Sequence, residues 1–404
     1  MGPQATIHVP ESGPIPESGA PVAPTAKGAA QRYYRPELDW LRLLAFTTVF
    51  WFHALPYDTP QLVGMGMPEP LAAYVFAPML RAGGHGVVLF FVLSSFLISE
   101  LLIRERERTG TVHVKWFYVR RILRIWPLYF LLLALAAPAE HFLFGHPVSF
   151  FASMFVFGLN WYVAYVREYM SHTSHLWTVS IEEQFYLVWP HVVRHARPRR
   201  FVLLMLAMYA VAFAYRTVYV SLCPADPNLA VVVRCNTLMR LDMFALGGLL
   251  ACLFHYRPFT LPPVSRVTLL LIAFLLYWIV GMEPSGGYQG AATLWSYPVL
   301  GVSSVLCLAA FLAAPPLVRM AWPLRVCTYL GKISYGLYMW HHPAILLSYR
   351  ILPNGPELEA GPVASRCLLA AVLTLVVSIA SYELFEKPFL RLKRRFTFVE
   401  SRPA

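Results

Sequence analysis

A chain of 404 residues that is 58% hydrophobic and 13% charged, with a mean hydropathy of +0.54, carries more apolar surface than a soluble core can bury. Its formal charge of +12 would suggest nucleic acid in a soluble protein, but the Lys and Arg residues fall in short loops between apolar runs, and no basic patch is interleaved with aromatics in the way that reads bases. The composition excludes an ordinary soluble domain, argues against nucleic-acid binding and makes a lipid bilayer the chain's solvent.

Residues Met1–Gln31 are rich in Pro, Gly, Ala and Ser and lack both the basic and the apolar regions of a signal peptide, so a disordered cytoplasmic tail is expected there. From 32 to 395 the chain reads as one membrane domain, followed by a short cytoplasmic tail at 396–404. Crossing hydrocarbon takes about 20 apolar residues as a helix. Segments of that kind fall at 38–56, 84–103, once within 122–166, and at 175–193, 200–220, 237–255, 266–283, 294–313, 333–350 and 364–385. The expected fold is therefore all-α, a polytopic integral membrane bundle of about ten spans. Keeping the basic loops Arg104–Arg121, Arg194–Arg200, Arg257–Arg266 and Arg319–Lys332 inside puts both termini in the cytoplasm. A multi-pass protein of the cell (inner) membrane follows.

Two apolar stretches compete within 122–166, namely 122–136 and 150–165. Counting both would place the basic C-terminal tail outside, so one is expected to be re-entrant or tilted, which backbone tolerates only when buried in protein or lining a cavity. Of the six cysteines, Cys223 and Cys235 share one polar segment between spans, and a disulfide there stands open against two small buried thiols. No cysteine or histidine spacing suggests a metal, and no metal or redox cofactor is expected.

Ionisable residues inside a span are expensive and read first as functional. The first span holds Arg42 and His53, eleven residues and about three turns apart, on one helix face and about 16 Å from each other. The alternative is a snorkelling arginine and an interfacial histidine. Arg121 and Arg124 are i, i+3 neighbours with Arg120 beside them, at the entry to an aromatic helix; this spacing suits phosphate, beyond simple topology charge. In His175-Leu-Trp-Thr-Val-Ser-Ile-Glu-Glu-Gln-Phe-Tyr186, Ser180 and Glu183 share a face and Glu182 points elsewhere. A run from Ile333 to Pro343 contains His341 and His342, for which packing or interfacial roles compete with chemistry.

Taken in order, these motifs resemble the acyltransferase-3 family of membrane O-acetylases and O-acyltransferases. The resemblance rests on Arg-x10-His (Arg42, His53), Gly-Val-x-Leu-Phe-Phe-Val-Leu-Ser (Gly86–Ser94), Arg-x-x-Arg (Arg121, Arg124), the Leu176–Tyr186 run, Ser334–His341 and Glu-Lys-Pro (Glu386–Pro388). The chain departs from it at Val88, where Asp is frequent, and at Ser95, where Gly is; the extra C-terminal esterase-like domain of some members is not matched. The resemblance implies a catalytic set of His53, Arg42, Ser180 and Glu183, with His53 as general base or as an acyl-histidine carrier. It implies acyl-CoA, acetyl-CoA first, as co-substrate held by Arg120, Arg121 and Arg124. The partner it implies is a carbohydrate, polysaccharide or glycolipid acceptor, toward which Glu182, Trp177 and His341 are candidate contacts. Two other classes remain: a transporter or channel for an anion or a proton-coupled solute, and a non-catalytic assembly or sensor protein.

Overall fold

The computed structural model describes residues 33–166, 173–315, 321–353 and 360–399, and all the regular structure among them is helical. The expected tail Met1–Gln31 lies outside the described residues. The long helices in chain order are α1 (Glu37–Ala54), α2 (Gly86–Thr109), α3 (Val114–Phe144), α4 (Trp177–His195), α5 (Pro198–Leu222), α6 (Leu241–Tyr256), α7 (Pro263–Met282), α8 (Ala292–Leu312), α9 (Ser334–Ile351) and α10 (Ala360–Ser381). Among the described residues, seven segments are long and apolar enough to cross a membrane: α2, α3, α5, α6 with the turn before it, α7, α8, and α10 with its continuation to Arg394. The other three, α1, α4 and α9, are 18, 19 and 18 residues long. They also carry His53, His341, His342 and the paired Glu182 and Glu183.

The competition within 122–166 resolves in favour of the first stretch. Val114–Phe144 is one helix of 31 residues, while the second stretch breaks into two helices of 8 residues, Val148–Phe155 and Leu159–Val166. Neither short helix can span about 30 Å at 1.5 Å per residue. The break falls at Phe157, the one non-glycine residue with positive φ among those described. Its carbonyl accepts the Gln184 amide at 2.8 Å, so the backbone freed by the break is satisfied by α4. Cys223 and Cys235 are both free thiols, which closes the disulfide alternative.

Burial separates the helices into an inner and an outer set. Of the spanning window in α2, 72% is buried, against 17% in α7, whose Leu271 and Phe274 stand exposed. Outward leucines and phenylalanines are what a lipid-facing surface requires. The inner helix α2 packs along α6, α9 packs along α10, and α1 is wedged among α2, α9 and the short helix Trp322–Lys332. Two glycines permit this wedge. A side-chain carbon on Gly86 would strike Thr48 and the Ala45 carbonyl of α1, and one on Gly331 would strike the backbone of Asp39 from the other side. With only hydrogen atoms at those points, α1 is gripped on both flanks.

Candidate active site

The Arg-rich end of the bundle opens into a cavity of about 160 Å³. Its wall follows α2 from Glu105 to Val87, a rise of about 27 Å at 1.5 Å per residue. Arg42, Arg120, Arg121, Arg124 and Lys393 supply the basic lining, whereas Phe90, Phe91, Leu97 and Leu101 line an apolar stretch; Thr178 and Tyr338 also face the cavity. It is thus a basic and apolar slot running along the inner helix.

The arginines are not equivalent. Arg120 is committed within the fold: one guanidinium nitrogen meets Glu105 at 2.6 Å and another donates to the Phe396 carbonyl at 2.8 Å. Arg121 lies over the rings of Phe117 and Tyr186, at 5.4 and 5.3 Å, and its Nε is buried with no hydrogen-bond partner among the described residues. Stacking on two rings fixes the guanidinium plane and leaves N–H groups for a ligand. Arg42 is joined to Asp39 at 2.6 Å and lines the same cavity, so it belongs to the slot and not to the immediate surroundings of His53.

At the opposite end of α1, four histidines gather. His53 Nδ1 lies 3.2 Å from His341 Nε2. The rings of His342 and His341 stand 4.8 and 5.2 Å from that of His53, and His175 stacks on His342 at 5.1 Å. The local cause is Pro343. Lacking an N–H, it leaves the carbonyl of Met339, four residues earlier, without its helical partner, and His175 Nε2 takes that carbonyl at 3.2 Å. His175 Nδ1 is then a bare acceptor, buried without a partner among the described residues. Four imidazoles meet, yet among the described residues no group of three or more His, Cys, Asp or Glu side chains is placed to hold a metal ion.

Hydrogen-bond bookkeeping fixes the tautomers. His341 Nδ1 lies 2.5 Å from the Tyr338 carbonyl, and a carbonyl only accepts, so Nδ1 carries the proton. In the neutral ring Nε2 of His341 is then the acceptor, and the hydrogen bond to it must come from His53 Nδ1–H. That leaves Nε2 of His53 unprotonated. A carbonyl–imidazole–imidazole chain thus leaves one basic nitrogen on His53, a residue that is only half-buried.

The remaining candidates divide. Glu182 lines the cavity and faces the hydroxyls of Ser94 and Tyr186, which are 2.7 Å apart. Glu183 points out of it and accepts from Trp126 Nε1 at 3.1 Å. Ser180 is fully buried and donates to the Leu176 carbonyl at 3.4 Å, while Trp177 packs edge-on against Phe91. The structure therefore brings His341 to His53 and Glu182 to the arginine slot, leaves Ser180 and Trp177 in packing positions outside both, and sets Glu183 outside the slot's lining with one oxygen buried and without a hydrogen-bond partner among the described residues. Lys393, Thr178, Tyr338 and His175 were missed in the sequence. The last three lie inside or at the edge of the quoted motifs, and the proline after His341–His342 was the available signal for His175.

A family model described as an acyltransferase domain matches residues 35–383. The chain belongs to the acyltransferase-3 family. The O-acetyltransferase OatA of Staphylococcus aureus strain NCTC 8325 is 25% identical over 385 residues, covering 88% of this chain and 57% of its own length. A protein of strain MSSA476 named "Putative O-acetyltransferase" is 25% identical over 389 residues with the same coverage. The chain thus spans a little over half the length of these curated relatives. No solved structure matches it significantly. Both the slot and the histidine cluster lie largely within the matched acyltransferase-3 segment; Lys393, Thr397, Phe398 and Val399 of the slot lie beyond it.

Proposed function

We propose that this acyltransferase-3 protein is a membrane O-acyltransferase that moves a short acyl group, acetyl first, from acyl-CoA to a hydroxyl of a carbohydrate-type acceptor. The observation that carries the reading is the pairing of two features. An arginine-lined slot follows an inner helix, and next to Tyr338 in its wall lies a histidine pair whose tautomers expose a single basic nitrogen. A slot about 27 Å long accommodates an extended thioester arm with its phosphates among Arg121, Arg124 and Lys393. His53 Nε2 removes the acceptor's hydroxyl proton as the oxygen attacks the thioester carbonyl carbon. The C–S bond then breaks, and the sulfur leaves with the proton from the His53 imidazolium. His341 holds His53 in the reactive tautomer throughout. In a proton-coupled transporter the same arginines would bind an anion and the imidazole would relay protons, but no thioester would be consumed.

The direct test is incubation of the purified protein with labelled acetyl-CoA and a panel of cell-envelope glycans, with ester-linked label as the readout. Label that never leaves the donor overturns the reading. Replacing Arg121 and Arg124 together by Ala should raise the KM for acyl-CoA at least tenfold with a smaller change in kcat, because such phosphate contacts bind ground and transition states alike. Lys at both positions should restore only part of it, a point charge being unable to make the forked contact. We place the protein in the cytoplasmic membrane, with the slot opening inward and His53 toward the far side, on the Lys/Arg distribution of its loops. Single cysteines at Ser401 and at Ser285 should then be labelled from opposite faces of sealed vesicles.

A further inference from the structure

Tyr338 and Thr178 stand where the two halves of the site meet, and neither side-chain hydroxyl has been given a part in the reaction. Both line the slot. The Tyr338 ring lies 5.2 Å from that of His341 and 5.8 Å from that of Phe90, so one side of the tyrosine faces the slot's apolar stretch and the other faces the histidines. His53 itself is not in the slot's wall. A thioester carbonyl that comes within reach of the histidine pair must pass beside this tyrosine.

The two hydroxyls share one acceptor. They lie 2.9 Å apart, and both point to the His175 carbonyl, Thr178 at 3.0 Å and Tyr338 at 3.2 Å. One carbonyl, already served by the nearer Thr178, does not need the second donor. The Tyr338 O–H can therefore turn to another acceptor without stranding a buried polar group, which is the usual cost of breaking such a bond. Both side chains are buried, so a new acceptor would meet them in surroundings of low dielectric, where a hydrogen bond to developing charge counts most.

We propose that the Tyr338 hydroxyl, positioned by Thr178, donates a hydrogen bond to the carbonyl oxygen of the acyl donor as it becomes an oxyanion. The tyrosine would then serve the reaction twice. Its main-chain carbonyl sets the tautomer of His341, and through it that of His53, while its hydroxyl stabilises the charge that the attack creates. No proton is consumed: the hydrogen bond forms with the tetrahedral intermediate and relaxes when the C–S bond breaks. This inference rests on the acyltransferase reading.

Tyr338→Phe keeps the ring, the main-chain carbonyl and the packing while removing only the donor. The expected result is a fall in kcat of about 10²–10³-fold, the usual effect of losing one oxyanion donor, with the KM for acetyl-CoA little changed. Binding of a CoA thioether, which lacks the thioester carbonyl, should be equal in the variant and the parent. Thr178→Val should lower kcat by less, because Tyr338 must then serve the His175 carbonyl alone. Wild-type kcat per folded molecule in Tyr338→Phe overturns the inference while leaving the acyltransferase reading intact. So does a matching loss of thioether binding, which marks a structural role. An unsubstituted protein that binds the thioether but never transfers label from acetyl-CoA removes both.

Discussion

Replacement of His53 by Ala is expected to reduce transfer by about 10²–10⁴-fold, the range that a positioned general base contributes, while acyl-CoA binding in the slot persists. The two sites are separable because Arg42 and His53 lie three turns apart on α1 and only Arg42 lines the slot. His53→Gln retains size and hydrogen bonding but cannot accept a proton, so it should be nearly as inactive as Ala. His341→Phe should lower turnover by less. It preserves the ring contact with Phe46 but leaves His53 free to adopt either tautomer. Activity must be measured per folded molecule. If His53 merely caps the end of a helix, the Gln variant loses yield or thermal stability and keeps normal turnover, and that outcome removes it from the mechanism.

The largest expected loss of stability lies elsewhere. Arg216 of α5 and Asp242 of α6 form an ion pair at 2.8 Å with neither side chain exposed. A third group raises the stakes, since Arg240 is also buried and lies 3.5 Å over the Tyr297 ring, with Arg216 over the same ring at 5.4 Å. Asp242→Ala would leave two guanidiniums facing one aromatic ring without that carboxylate. Removing one partner of a buried pair costs about 3–5 kcal/mol, so the variant should melt several degrees lower in detergent and give poor yields. Replacing both residues by Leu should recover part of that loss, because it removes the Arg216 charge along with the pair while Arg240 still loses the carboxylate. A single Asp242→Ala variant that melts with the parent would show that the guanidiniums are compensated by other means.

How much of this was legible before the fold was seen depends on the range of the interaction. The helical membrane architecture was readable from apolar length, and Arg42 and His53 on one face from a local period. Within 122–166 apolar character alone did not choose, because both Ile122–Ala136 and Phe150–Tyr165 are apolar stretches; the break at Phe157 depends on Gln184, 27 residues away, reaching its carbonyl. The histidine pair was out of reach for the same reason. His53 and His341 are 288 positions apart, and only the packing of α1 against α9 joins them. Arg120 looked like its neighbours until Glu105 was found against it. Tyr338 could be quoted as part of a motif, yet nothing local distinguishes a hydroxyl that faces a slot from one that packs.

The grip of Gly86 and Gly331 on α1 has a bearing on how a reaction can proceed across a bilayer at all. Transporters commonly rock one set of helices against another so that a central site faces each side in turn. These close seats hold α1 tightly against its neighbours on both flanks, and any residue larger than glycine at either contact would lift it from its seat. Arg42 and His53 are therefore the two fixed marks of a gauge, about 16 Å apart. Under the proposed function, the travelling in such a frame would be left to the substrates, with the protein supplying a stationary meeting point between them.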